Sequence, residues 1–154
     1  MWAFEPSHDN HRCARATIDL NEIGNAVLRR AGLGAWSERR ALVTKDARGR
    51  PLGGACTFVG ATGREEETVE VVTLDEVLPP DRPVSIVHLD VEGYEGPALQ
   101  GGLRTVDRWR PVLVIDMLPG GRLLQEGWFR ELLAGLDCEK VGYIHDNTAF
   151  LPRS

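Results

Sequence analysis

Two hydrophobic periods alternate along the chain. Val69, Val71 and Thr73 fall on one face of residues 68–73 at period two, the pattern of a half-buried strand. Phe129, Leu132, Leu133 and Leu136 recur at i, i+3, i+4 and i+7, which predicts a helix with one apolar stripe. Residues 112–115 form an unbroken β-branched and Leu run, as in a strand buried on both faces. Residues 84–90 begin in the same way and end in the carboxylate of Asp90, with Glu92-Gly93 just beyond.

The remaining segments fit between these. Trp2-Ala3-Phe4 reads as the end of a strand stopped by Glu5-Pro6, since Pro cannot continue a ladder and disfavours helix at the residue before it. Ser7 or Asp9 can cap a helix whose stripe is Cys13, Ala16, Thr17 and Leu20, and Gly24-Asn25 would end it. Ala26-Val27-Leu28 restarts as a strand, and Ala31-Gly32-Leu33-Gly34 follows as a loop. Residues 39–44 suggest a strand with Ala41 and Val43 on one face. From Asp46 to Glu67 the chain is rich in Gly and charge, a long surface excursion whose glycine spacing fits no nucleotide-binding pattern. Leu74-Asp75-Glu76-Val77-Leu78 makes a short helix stopped by Pro79-Pro80. Tyr94, Ala98, Leu99, Leu103 and Val106 form the core face of one further helix. Pro119-Gly120-Gly121 is a loop, and residues 141–144 and 149–151 close the chain as a strand pair around Asp146-Asn147.

Alternating strands and helices predict an α/β fold with a mostly parallel sheet, helices on both faces and an antiparallel edge. The strands at 84–90 and 112–115 are expected side by side at its centre, in one domain across residues 1–154. Composition narrows the partners. A net charge of −5 without a Lys/Arg-rich tract argues against a nucleic-acid surface. No apolar run approaches the ~20 residues of a membrane span. The first residues lack a signal core, so a cytoplasmic location is expected. Cys13, Cys56 and Cys138 are odd in number and widely spaced, without a Cys-x-x-Cys pair, so neither a disulfide framework nor structural zinc is expected. His8 and His11 beside Asp9 read as a solvated helix start rather than a metal site.

Candidate chemistry lies where strands end, because open α/β sheets bind ligands beyond their carboxyl ends. Glu5 offers two acceptor oxygens, the chemistry that suits a ribose diol; its structural alternative is a partner for the first turn of the next helix. Asp90, Glu92 and His88 are candidates to accept a proton from an attacking alcohol. The alternatives are that Asp90 orders the loop, Glu92 caps the next helix and His88 faces the core.

These same residues carry a resemblance. Val84-Ser85-Ile86-Val87-His88-Leu89-Asp90-Val91-Glu92-Gly93-Tyr94-Glu95 resembles the Ile-Asp-Val-Glu-Gly signature of FkbM-type methyltransferases. Ala3-Phe4-Glu5-Pro6-Ser7, with Asn10 and Asn21 behind it, looks like that family's second-strand motif. Ala31-Gly32-Leu33-Gly34 is similar to its Ala-Leu-Gly loop, residues 73–78 to its Thr-Thr-Leu-Asp stretch, and residues 111–116 to its Pro-x-Leu-x-x-Glu strand. The resemblance implies a class I methyltransferase (Rossmann-like) fold and methyl transfer from S-adenosylmethionine to a hydroxyl of a sugar, polyketide or lipid-type small molecule. It implies Glu5, Pro6, Ala31, Gly32 and Asp90 as cofactor-binding residues, Asp90, Glu92 and His88 as catalytic candidates, and no metal. Three departures stand out. His88 replaces the family's usual Lys, and Asp116 its usual Glu. No Asp-x-Gly-x-x-x-Gly pattern precedes the Glu5 segment, so the fold is expected to be N-terminally truncated, without the first strand and Gly-rich loop. The alternative function is therefore a catalytically inactive methyltransferase-like domain that acts as an interaction module by pairing through an exposed sheet edge.

Overall fold

A computed structural model describes residues 1–58, 67–118 and 120–153. Residues 59–66 of the Gly-rich excursion, and Pro119 of the Pro119-Gly120-Gly121 loop, lie outside the described residues.

The first unit pairs β1 (Trp2–Phe4) in parallel with β2 (Val27–Arg29), joined through α1 (His8–Leu20). Ser7 is the N-cap, its Oγ accepting from the Asn10 N–H at 3.5 Å. The expected stripe is not the packed one. Cys13, Ala16 and Thr17 are exposed and Leu20 is 83% exposed, whereas Ile18 is buried and His11 and Ala14 are half-buried. The helix packs through Ile18, and Leu20, the large apolar member of the expected stripe, is left in solvent. The helix also ends earlier than expected, at the Asn21 C-cap rather than Gly24-Asn25.

The second unit is a three-stranded sheet of β3 (Gly32–Leu33), β4 (Glu38–Leu42) and β5 (Glu67–Val72), in the order β3-β5-β4. The segment read as a loop at residues 31–34 becomes a short parallel strand because β5 supplies the partner. Val69 and Val71 point inward as their alternation predicts, but on β4 it is Leu42, not Ala41 or Val43, that is fully buried. Residues 43–58 fold back on themselves through bridges at Val43–Thr57 and Lys45–Pro51, with a 3-10 turn at Gly53–Ala55.

The third unit holds α2 (Leu74–Val77), β6 (Ile86–Leu89), α3 (Glu95–Gln100), α4 (Leu103–Trp109), β7 (Val112–Asp116), α5 (Gly127–Gly135), β8 (Cys138–Ile144) and β9 (Asn147–Pro152). Its sheet order is β6-β7-β9-β8. β6 and β7 are adjacent and parallel, and β8 and β9 form the antiparallel hairpin at the other end. His145 and Asp146 turn that hairpin with φ of 47° and 65°, the backbone that matches strand twist in a two-residue loop.

Two expectations are corrected. β6 stands at a sheet edge, not at the centre, and the strands form three sheets rather than one mostly parallel sheet. Among the described residues no backbone segment hydrogen-bonds β1 to β6, so the ladder stops at each. The single helix expected after Tyr94 is also divided. A Cβ on Gly101 would lie 1.9 Å from the Gly34 carbonyl oxygen, and the Gly101 carbonyl accepts from the Asp75 N–H at 2.9 Å. That approach fixes a break between α3 and α4. Tyr94, Ala98, Leu99 and Val106 are buried, while Leu103 stays 36% exposed. One core cluster runs from Ala31, Leu33 and Leu74 through Leu89, Leu113 and Ile115 to Phe129 and Phe150, whose rings meet edge-on at 5.7 Å.

Candidate functional site

The carboxyl ends of β1 and β6 and the approach to β3 converge on a cavity of about 590 Å³, within the usual range for small-molecule sites. Glu5 and Pro6 line it from β1, Ala31 and Gly32 from β3, and His88, Asp90 and Glu92 from β6 and its loop. The seven residues expected to bind the cofactor or take the proton therefore border the same space, whereas Gly34 and Asp116 do not line it. Phe58, Cys56 and Asn10 border it too.

Glu5 is set by the end of β1. Its N–H donates to the Arg29 carbonyl at 3.1 Å, which completes the ladder with β2. Its Oε1 accepts from the Ser7 N–H at 2.8 Å. Part of the helix-start role is thus present, and the same bond orients the carboxylate. Burial pushes the Glu5 carboxyl up, the Ser7 N–H and Asn10 side chain pull it back, and Glu67 adds to the rise.

Gly32 has no room for a side chain: a Cβ would sit 2.6 and 2.7 Å from carbons of the Phe58 ring. Phe58 in turn packs on Tyr94 with ring centroids 5.3 Å apart. The Arg40 guanidinium lies 5.1 Å from the Tyr94 centroid and donates to its hydroxyl at 2.9 Å. Sequence reasoning passed over Phe58. The available signal was one aromatic residue in a Gly-rich excursion.

The loop after β6 turns on Glu92 and Gly93, with φ of 49° and 87°. Glu95 Oε1 accepts from the Val91 and Gly93 N–H groups at 3.3 and 3.0 Å, which orders the loop, and no side chain, Glu92 included, caps α3. The Glu92 carbonyl accepts from the Thr57 hydroxyl at 3.0 Å, which ties the loop to the folded-back excursion. Burial, then the charges of Asp90, Asp116 and Glu95, push the Glu92 carboxyl up.

His88 does not face the core. β6 alternates exposed Ile86 and His88 with buried Val87 and Leu89, which fixes His88 on the opposite face. Its Nε2 lies 3.0 Å from Asn147 Oδ1 at the start of β9. Asp116, at the end of β7, belongs to the same group. Burial, then Asp90 and Asp146, raise its carboxyl, and His88 opposes the rise. Among the described residues no three His, Cys, Asp or Glu side chains gather as a metal site.

These features define an α/β protein with a cleft of small-molecule size, a fixed carboxylate on one wall and carboxylates with a histidine on the other. The methyltransferase FkbM domain model matches residues 1–135, and the chain belongs to that family. A solved structure of methyltransferase FkbM from Methylobacillus flagellatus KT is similar, with a TM-score of 0.62 and 16% identity. That likeness covers 97% of this chain and 35% of the other, so the chain spans about a third of its neighbour. No curated protein matches. The motif resemblance and the family model agree on the FkbM methyltransferase family, and the solved structure shares the fold. No helix among the described residues is long and apolar enough to cross a membrane.

Proposed function

We propose that this chain takes part in S-adenosylmethionine-dependent methyl transfer to a hydroxyl of a sugar, polyketide or lipid-type small molecule in the cytoplasm. The observation that carries the reading is that Glu5 and Asp90, from the ends of two different strands, face one cavity.

The residues present fit the cofactor. The Glu5 carboxylate, oriented by the Ser7 N–H, would accept from both ribose hydroxyls. The Ala31-Gly32 backbone and the Phe58 ring supply a flat apolar wall for the adenine. The cofactor supplies an electrophilic methyl group when bound. The chain's own residues align the acceptor and take its proton. Glu92 is the leading proton acceptor, because the displacement of its carboxyl towards neutrality suits general-base work. Asp90 stands beside it on the same wall, and His88, positioned by Asn147, is the second candidate.

Isothermal titration with S-adenosylhomocysteine tests the assignment. Glu5→Ala removes a charged acceptor for a diol, worth about 1.5–3 kcal/mol per hydrogen bond, and is expected to weaken binding by at least about tenfold. Glu92→Gln should leave cofactor affinity unchanged and reduce turnover. Equal affinity of Glu5→Ala and the unaltered chain would overturn the ribose assignment.

A further inference from the structure

Arg40 stands on β4, outside the cleft, and meets it only through other side chains. Neither Arg40 nor Tyr94 lines the 590 Å³ cavity. The Arg40 guanidinium carbon lies 5.1 Å from the Tyr94 ring centroid, and its Nη1 donates to the Tyr94 hydroxyl at 2.9 Å. The same Nη1 donates to Glu38 Oε1 at 3.1 Å, so the guanidinium is itself anchored on β4. A Tyr side chain turns about two torsions, so a cation against its ring and a donor at its hydroxyl together hold the ring in place. Tyr94 is buried, and a Cβ on Gly34 would lie 3.5 Å from its Cε1, so the ring also passes close to that backbone.

Phe58 is the next member of the series, and it does line the cavity. Its ring centroid lies 5.3 Å from that of Tyr94, with the planes tilted by 59°. On the cleft wall the ring comes so near Gly32 that a Cβ there would meet it at 2.6 Å. The backbone bridge that supports this part of the chain, Val43 with Thr57, ends one residue before Phe58. Ring contacts therefore set where Phe58 stands.

We infer, on the S-adenosylmethionine reading above, that Arg40 is a positioning residue for the base of the cofactor. Arg40 holds Tyr94, Tyr94 holds the Phe58 ring, and the ring is the wall against which the adenine lies. An Arg that merely joined β4 to the core would stabilise the fold and leave affinity for the base untouched. An Arg that acts through Phe58 changes that affinity only while the Phe58 ring is present.

Isothermal titration with S-adenosylhomocysteine across a double-mutant cycle tests this. Phe58→Ala removes the wall and should weaken binding by about tenfold, the scale of one lost stack of a base on an aromatic ring. Arg40→Met keeps the apolar stem, loses both polar contacts and should weaken binding by about threefold or more. In the Phe58→Ala background Arg40→Met should cause no further loss, because residues that act through one another are not additive. Tyr94→Phe, which removes only the hydroxyl that Arg40 holds, takes the place of Arg40→Met in the cycle if circular dichroism shows the latter unfolded. The same loss from Arg40→Met in both backgrounds, or no loss in either, would overturn the positioning role. Unchanged affinity in Phe58→Ala would overturn it as well, by taking the base off this wall. An unaltered chain that fails to bind S-adenosylhomocysteine would instead overturn the cofactor reading, and the role of Arg40 with it.

Discussion

Asp75 caps a helix to which it does not belong. Helix α4 begins after Gly102, which has no side chain to satisfy the free N–H groups of the first turn. The Asp75 carboxylate, one residue into α2, accepts from the Arg104 N–H at 3.0 Å and the Thr105 N–H at 2.8 Å. Those are the second and third helical positions, the ones an N-cap side chain would serve. The Asp75 side chain is 10% exposed, and its Arg104 partner 79%. Loss of a cap costs about 0.5–2 kcal/mol, and a hydrogen bond to a charged group about 1.5–3 kcal/mol. Asp75→Ala is therefore expected to destabilise by about 2–3 kcal/mol. The exposed ion pair contributes little, so Arg104→Ala should cost under about 1 kcal/mol. Urea unfolding followed by circular dichroism measures both. Burial raises the Asp75 carboxyl, but the hydrogen bonds from Thr105 and Arg104 together outweigh it and leave it below its ordinary value. A lowered folded value gives stability that is present above the unfolded value and is lost as pH falls through the folded one. The gap between Asp75→Ala and the unaltered chain should therefore narrow below about pH 3.9. Equal losses in Asp75→Ala and Arg104→Ala, or a gap that persists in acid, would refute the capping argument.

Four other outcomes follow from packing and charge. Gly101→Ala puts a Cβ against the Gly34 carbonyl, a backbone atom that cannot turn aside, and should cost more than about 3 kcal/mol; Gly135→Ala, with nothing within 4 Å, should stabilise by up to about 1 kcal/mol in the same urea assay. Thr148→Val leaves the Met117 carbonyl without its buried 2.6 Å donor and should lower stability by about 1–3 kcal/mol. Asp116→Asn should raise the melting temperature at pH 7 and leave it unchanged below the carboxylate range, because a raised folded value gives stability that is present in acid and lost as pH rises.

The sequence alone determined the elements whose burial repeats locally. β6, β7 and α5 stand where continuous or periodic apolar residues required them, and Pro6 ended β1 where its missing N–H required it. It also placed Glu5, Asp90 and Glu92 at strand ends, and the rule that chemistry gathers there brought them to one cavity. Tertiary structure decided whatever depends on a partner distant in the chain. Gly101 divides a helix because Gly34 passes close to it, and Gly32 and Leu33 become a strand because β5 lies alongside. His88 faces the cavity and not the core because pairing with β7 sets which face of β6 is inward. Asp75 acts as a cap only because α2 lies against the start of α4. Sequence periodicity reports how one segment meets an average interior, whereas close backbone approach, sheet order and borrowed caps depend on which segments meet.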